Sequence, residues 1–162
     1  MKKVIKAENI PTKSIIANGF GSIDYQDIYT IEQQTDKTAE KLSEELLIMP
    51  GWVDILMKLR NQVVGVFGLK TGRNTPKSKT FFTIIENRED EFIMGEDDKH
   101  LNFRTSILKD ESENTISLTT VVHYNNVWGK VYFFPVKPFH KIIMRVLLKR
   151  YLKRQKTRRN TL

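Results

Sequence analysis

Residues 100–124, HLNFRTSILKDESENTISLTTVVHY, contain two alternating segments separated by a polar turn. One face of the first segment carries Leu101, Phe103, Thr105 and Ile107, and one face of the second carries Ile116, Leu118, Thr120 and Val122. A period of two with one largely apolar face is typical of a half-buried β-strand. The connection at 110–114 is too short for a parallel crossover, which needs about a dozen residues. The two segments are therefore predicted to form an antiparallel hairpin.

Other segments extend this pattern in both directions along the chain. Further strands are predicted at Ile23–Ile31, Thr80–Asn87 and Glu91–Glu96, where β-branched and aromatic residues are frequent. The connections from residue 80 to residue 124 are all short, so these strands are expected to be antiparallel neighbours in one sheet.

Helical periodicity is present on both sides of this run of strands. Asp36 or Thr38 is expected to cap a first helix that Pro50 and Gly51 end. A second helix is predicted from its apolar stripe, which is formed by Trp52, Ile55, Leu56, Leu59 and Val63. Residues 70–79 are expected to be a surface loop, and residues 126–134 are compatible with a strand or a helical turn. A long last helix is predicted after Pro138.

The predicted order is a strand, two helices, a run of antiparallel strands and a long C-terminal helix. This is the order of the α+β helix-grip fold, in which a curved antiparallel sheet wraps around the last helix and encloses a cavity. We expect one domain over residues 1–162, with an extended arm at 1–20 and a basic, flexible tail at 150–162.

Charge is concentrated at the C-terminal end of the chain. The whole chain has a formal net charge of +8. Much of this positive charge lies in Lys137–Leu162, which contain many Lys and Arg residues and no Asp or Glu. With no cysteine, the chain can form neither disulfides nor Cys-ligated metal sites. No apolar run has the length of a signal peptide or of a membrane span. We expect a cytoplasmic protein without a cofactor or a metal.

Four phrases resemble a known family: MPGW (Met49–Trp52), LMKLRN (Leu56–Asn61), GEDDKHLNFRTSIL (Gly95–Leu108) and GKVYFFPVKPFHKII (Gly129–Ile143). They are similar to a bacterial family of domains of unknown function, number 2867, over about Asp24 to Leu152. That family resembles the Bet v 1 and START-like superfamily. The resemblance implies a helix-grip fold with a cavity for a hydrophobic ligand, but no ligand, reaction or site residue. Some members carry an epimerase-like nucleotide-binding domain that this chain lacks, so a separate oxidoreductase is a candidate partner.

Six residues are candidates for the lining of the cavity: Trp52, Phe103, Arg104, His123, Trp128 and Tyr132. The aromatic side chains would contact an apolar ligand or simply form core. An inward Arg104 would hold a ligand carboxylate or phosphate through two hydrogen bonds. An outward Arg104 would instead pair with acids such as Asp97 or Asp98.

Titratable residues are weaker candidates for a functional site than the cavity-lining residues. His100, His123 and His140 are a metal or general-base set only if the fold brings them together. The acidic run Glu96-Asp97-Asp98 is more typical of a solvated turn than of a site.

The basic C-terminal helix is compatible with a solvated end, an anionic membrane surface or nucleic acid. A membrane ranks above nucleic acid because no nucleic-acid module is recognisable. The membrane-facing candidates are Lys141, Arg145, Lys149, Arg150, Lys153 and Arg154.

Three functions follow from these observations. The first is a binding protein that takes a small apolar or amphipathic molecule in an internal cavity. The second is a helix-grip enzyme that uses His123 or Arg104 on a cyclic or polyketide-like substrate. The third is a membrane-surface adaptor that uses the basic helix. The sequence favours binding and leaves catalysis open.

Overall fold

A computed structural model of the chain describes residues 3–53 and 82–160. In chain order its elements are β1 (Val4–Ala7), β2 (Tyr25–Glu32), α1 (Ala39–Leu46), β3 (Thr83–Asn87), β4 (Glu91–Asp97), β5 (Leu101–Asp110), β6 (Thr115–Tyr124) and α2 (Val127–Asn160). The protein is thus an α+β protein with an antiparallel sheet and a long C-terminal helix, as predicted.

The six strands form one sheet in the order β1-β2-β6-β5-β4-β3. All neighbouring strands are antiparallel. The hairpin predicted at 100–124 is present, with β5 and β6 in register from Leu101 opposite Tyr124 to Asp110 opposite Thr115. In its turn, Asn114 has a positive φ of 53°, a conformation that Asn tolerates better than most residues.

The sheet has two covered faces. We call the side against α1 and α2 the helix face; its largest apolar cluster joins strand residues such as Tyr29 and Leu118 to Leu148 and Tyr151 of α2. We call the opposite side the arm face, because residues of the N-terminal arm lie on it. There Ile16 and Phe20 of the arm pack against Ile93 and Val121.

The buried Glu91 fastens the arm to the sheet. Its carboxylate accepts hydrogen bonds from Ser14 Oγ (2.5 Å), from the Ile15 amide (2.8 Å) and from Ser106 Oγ (2.5 Å). Three donors satisfy a carboxylate that would otherwise be costly to bury. The arm is therefore a layer of the fold.

Helix α2 begins at Val127, so the expectation that it starts after Pro138 is wrong. Asn126 caps it, because Asn126 Oδ1 accepts the amide hydrogen of Gly129 at 3.2 Å. Pro135 and Pro138 lie inside the helix and cannot donate to the carbonyls one turn earlier. Both prolines are exposed.

The start of α2 is tightly packed against the β4–β5 turn. A Cβ atom added at Gly129 would lie 2.0 Å from the backbone oxygen of His100. Asn126 also donates from Nδ2 to the Lys99 carbonyl at 3.1 Å. Glycine at this position therefore allows a close approach of two backbones.

The C-terminal segment continues α2 as far as Asn160, which differs from the expected flexible tail at 150–162. Tyr151 is buried in the main cluster. Arg154 donates to the Glu45 carbonyl, and Arg158 forms an ion pair with the Glu45 carboxylate at 3.2 Å. Periodicity did not indicate this anchoring because its partner, α1, lies far away in sequence.

Thr38, one of the two predicted caps, caps α1 and accepts a hydrogen bond from the Lys41 amide. Of the predicted second helix, only the turn at 51–53 falls within the described residues, and the predicted loop at 70–79 lies outside them. None of the described helices combines the length and the hydropathy that a membrane crossing requires.

Candidate functional site

A row of polar side chains crosses the middle of the helix face. Asp27 on β2 lies opposite Thr120 on β6, and Thr120 lies opposite Thr105 on β5. All three are buried. The two threonine hydroxyls are hydrogen-bonded to each other at 3.0 Å. This hydrogen bond does not involve the Asp27 carboxylate.

The polar row separates two apolar clusters. On one side lies the main cluster, which includes Tyr29, Ile107 and Leu118. On the other side Tyr25, Leu101, Val122 and Phe133 form a second cluster. The site is therefore a polar centre with apolar walls, the composition that small-molecule sites commonly have.

Asp27 is the least expected residue at this place. It is only 1% exposed, and neither carboxylate oxygen has a hydrogen-bond partner among the described residues. The same holds for the hydroxyl groups of Tyr25 and Tyr29 and for Nδ1 of His140. Buried polar atoms in native proteins are nearly always paired, so two carboxylate oxygens and three neighbouring polar atoms without a geometric hydrogen bond require a physical explanation.

The pKa of Asp27 shows how these groups influence one another. Burial alone would raise it, but the His140 imidazole and the nearby hydroxyls of Tyr25 and Tyr29 lower it below the ordinary value of 3.8. The His140 Nδ1 atom lies 3.5 Å from Asp27 Oδ2. None of these neighbours has the geometry of a hydrogen bond to Asp27. The result is a carboxylate that is ionised at neutral pH and that has one contact to an imidazole and two tyrosine hydroxyls close enough to lower its pKa.

The two tyrosines and two cations complete the surroundings of Asp27. Burial, together with the Asp27 charge, raises the pKa of Tyr25 and of Tyr29, so both hydroxyls stay protonated at neutral pH. The Lys137 ammonium lies 4.9 Å from the centre of the Tyr25 ring, and the Arg145 guanidinium lies 5.3 Å from that of Tyr29. His140 is partly exposed, whereas Asp27 is buried.

The aromatic candidates from the sequence fall in two different places. Phe103 and Tyr132 are partly buried and pack against the second apolar cluster. Trp52 and Trp128 are instead 41% and 57% exposed. The fold thus brings two of the four predicted aromatic residues to the second apolar cluster.

Arg104 lies on the arm face. Its guanidinium donates to the Asn18 carbonyl at 2.9 Å and lies 4.9 Å from the centre of the Phe20 ring. It holds the arm, and it pairs with neither Asp97 nor Asp98 in the structure.

His123 lies on the arm face as well. Its Nδ1 atom is 2.9 Å from both Asp24 Oδ2 and Ser22 Oγ. A catalytic Ser-His-Asp arrangement uses both ring nitrogens, one for the acid and one for the serine. Two partners on one nitrogen therefore do not form a triad.

The remaining titratable candidates are dispersed. His100 faces Asn126 Oδ1 at 3.1 Å and supports the start of α2. Glu96 accepts hydrogen bonds from Thr83, and Asp98 Oδ1 accepts one from the Lys99 amide. Over residues 3–53 and 82–160, no three His, Asp or Glu side chains are close enough together to hold a metal ion.

An open cleft of about 620 Å³ lies beside the turn that connects β5 and β6. Its lining is polar and consists of Gln33, Gln34, Thr35, Asp36, Lys109, Asp110, Glu111 and Asn114. Asp110 is already bonded there: Lys13 and Ser112 lower its pKa to about 2. The residues that line this cleft are all of polar types and none of their described side chains has a buried polar atom without a partner, so the Asp27 row, with its apolar neighbours, is the stronger candidate.

Sequence reasoning missed Asp27, Tyr25, Tyr29 and His140 as a group. One signal was available, because Asp27 stands between Tyr25 and Tyr29 on the same alternating face of β2. An acidic residue in the middle of a buried face is unusual. The contribution of His140 could not be found in this way, since it depends on where α2 crosses the sheet.

The fold and this row define an α+β protein with a polar site beneath its C-terminal helix. Residues 20–147 match the sequence profile of the family described as "Protein of unknown function (DUF2867)". The match covers most of the chain, and the protein belongs to this family. No curated protein and no solved structure matches the chain.

Proposed function

We propose that this protein binds a small amphipathic molecule between the helix face of the sheet and α2, in a helix-grip fold. The strand order and the single long helix across the sheet support that fold. The observation that carries the proposal is the set of unpaired polar atoms around the buried Asp27. A ligand that donates hydrogen bonds to this carboxylate would satisfy them.

The chemistry of the row selects the polar end of the ligand. An ionised Asp27 accepts hydrogen bonds and repels anions, whereas the two tyrosine hydroxyls can both donate and accept. A hydroxyl or an amino group fits these partners, and a carboxylate does not. The apolar body would contact the cluster of Tyr25, Leu101, Val122 and Phe133, with Phe103 and Tyr132 beside it.

Native mass spectrometry of freshly purified protein tests whether a ligand is retained. We expect a bound mass that disappears on denaturation and is reduced in the Asp27→Asn variant. Asp24→Asn is the matched control, because Asp24 lies on the arm side of the sheet beside His123. A bound mass that is equal in all three proteins would contradict the site.

Titration with an NBD-labelled long-chain alcohol and with the matching acid tests the selectivity. A hydrogen bond to a charged group contributes about 1.5–3 kcal/mol, so the alcohol should bind at least about tenfold more tightly than the acid. Asp27→Asn should abolish this preference and Asp24→Asn should keep it. If wild-type protein binds neither probe, or prefers the acid, the proposal fails.

The Asp27–His140 contact favours one alternative, an acid–base enzyme on the same fold. A carboxylate beside Nδ1 orients an imidazole and leaves Nε2 to take a proton from a substrate. On a cyclic ketone such as α-tetralone in D₂O, the enzyme would accelerate exchange of the α-protons, and His140→Gln would abolish this. Exchange at the uncatalysed rate with wild-type protein would exclude proton abstraction from this probe.

A further inference from the structure

One face of α2 is exposed along its whole length. At intervals of three or four residues, the same stripe of the helix carries Val127, Val131, Phe134, Pro138 and Ile142, and all of them are exposed. Val127 is 74% exposed and Phe134 is 81% exposed. Large apolar side chains at these levels of exposure in a row indicate a surface that contacts something apolar.

The stripe continues without a change of spacing into a basic half. Arg145, Lys149, Lys153 and Lys156 occupy its next positions, and all four are exposed. Within residues 3–53 and 82–160, none of the three lysines forms an ion pair. We call the nine positions from Val127 to Lys156 the α2 stripe. At 1.5 Å per residue it is about 44 Å long.

The charge of α2 has one sign. The helix contains no Asp or Glu from Val127 to Asn160. Near the apolar half, Lys130 is exposed and Lys141 is half-buried. A helix that presents apolar and basic side chains on one face matches an anionic bilayer surface, where acyl chains lie beneath negatively charged headgroups.

We propose that the α2 stripe docks this protein on an anionic membrane surface. The apolar half inserts Val131 and Phe134 to the depth of the headgroup boundary, while Lys149, Lys153 and Lys156 contact the phosphates. The helix lies along the surface and does not cross it, in agreement with its hydropathy. This proposal does not depend on a ligand at Asp27, although Arg145 of the stripe also lies over the Tyr29 ring beside that carboxylate.

Two other occupants are less compatible with the stripe. A second copy of the chain that packed stripe against stripe would match the apolar half but would bring no negative charge to the lysines, because α2 contains no Asp or Glu. Nucleic acid would match the lysines but would leave the apolar half in water. An anionic bilayer surface satisfies both halves at once.

Co-sedimentation with vesicles tests the proposal. Wild-type protein should bind vesicles of phosphatidylcholine with 30% phosphatidylglycerol at least tenfold more than vesicles of phosphatidylcholine alone. Phe134→Asp should reduce binding at least tenfold, and so should Lys149→Glu/Lys153→Glu/Lys156→Glu. The matched control is Lys3→Glu/Lys6→Glu/Lys41→Glu, which makes the same change of charge at exposed lysines off the stripe and should change binding less than twofold.

A spectroscopic readout places the helix directly. The chain has two tryptophans, so Trp52→Phe leaves Trp128, which is next to the stripe. Its emission should shift to the blue with anionic vesicles and stay unchanged with neutral ones. The residues that are changed are exposed, so circular dichroism should show folded variants.

Several results would overturn the proposal: no binding of wild-type protein to anionic vesicles, unchanged binding of Phe134→Asp, or an equal loss in the control triple variant. A dimer in ultracentrifugation that Phe134→Asp converts to a monomer, without vesicle binding, would assign the stripe to a second copy.

Discussion

Nδ1 of His140 on α2 lies 3.5 Å from Oδ2 of Asp27 on β2, so the helix and the sheet meet at an imidazole–carboxylate contact in the middle of an apolar interface. This contact ties the ionisation of Asp27 to the packing of α2. It also brings a partly exposed side chain to a carboxylate that is otherwise removed from solvent.

The loss of unfolding free energy at acidic pH should depend on Asp27. Its pKa in the folded state is lower than the ordinary value of 3.8, so the unfolded state binds a proton more readily. The resulting stabilisation is complete above that ordinary value and is lost as pH falls through the lowered folded pKa. Urea unfolding from pH 6 to pH 2 should show a smaller loss of unfolding free energy for Asp27→Asn than for wild type. Parallel profiles would contradict this account.

The loss of unfolding free energy at alkaline pH should depend on the buried tyrosines. Burial raises the pKa of Tyr25, Tyr29 and Tyr124, and it raises that of Tyr151 to about 12. Their stabilisation is complete below the ordinary value of 10.0 and is lost as pH rises through the higher folded values. Absorbance at 295 nm, which reports the ionisation of tyrosine, should therefore rise together with unfolding in an alkaline titration. In protein unfolded by guanidinium, the same absorbance should rise near pH 10. Full ionisation near pH 10 in folded protein would disprove the burial of these hydroxyls.

Gly129→Ala should weaken the start of α2. The new methyl group would meet the His100 carbonyl, and because that atom is backbone, relief requires a shift of the helix. We expect a loss of about 2 kcal/mol in unfolding free energy, measured by urea titration. Gly51→Ala is the matched control, since among the described residues no atom lies within 4 Å of the added carbon. Equal effects of the two substitutions would argue against the close approach.

Tyr151→Ala should be strongly destabilising, by about 3–5 kcal/mol, because it empties a large buried site. Tyr151 is 1% exposed and belongs to the main cluster. Lys149→Ala, at an exposed position two residues earlier, should change thermal stability little. If Tyr151→Ala also left the melting temperature unchanged, residues 150–160 would be a loose tail after all.

The strands could be predicted well from sequence because alternation is a local property. The hairpin at 100–124 and the Thr38 cap needed only neighbouring residues. The start of α2 could not be predicted, because Pro135 and Pro138 obscured a helix whose first turn depends on contacts with the β4–β5 turn. The anchoring of Arg154 and Arg158 by Glu45 depends likewise on distant packing.

The site was less accessible to prediction than the fold. Alternation placed Arg104 and Phe103 on opposite faces, but it could not tell which face the helix would cover. Nothing in the sequence indicated that Arg104 would donate a hydrogen bond to a carbonyl of the N-terminal arm. Asp27 was identifiable as an acid on a buried face, whereas its pairing with His140 required the tertiary structure.

The most direct measurement is ¹⁹F NMR of protein labelled with 3-fluorotyrosine, titrated with dodecanol. The chain has five tyrosines, and each resonance can be assigned with its Tyr→Phe variant. We predict that the resonances of Tyr25 and Tyr29 shift with saturation, that the resonance of Tyr151 does not, and that Asp27→Asn suppresses the shifts. Unmoved Tyr25 and Tyr29 resonances at saturating dodecanol would show that no such molecule binds beneath α2.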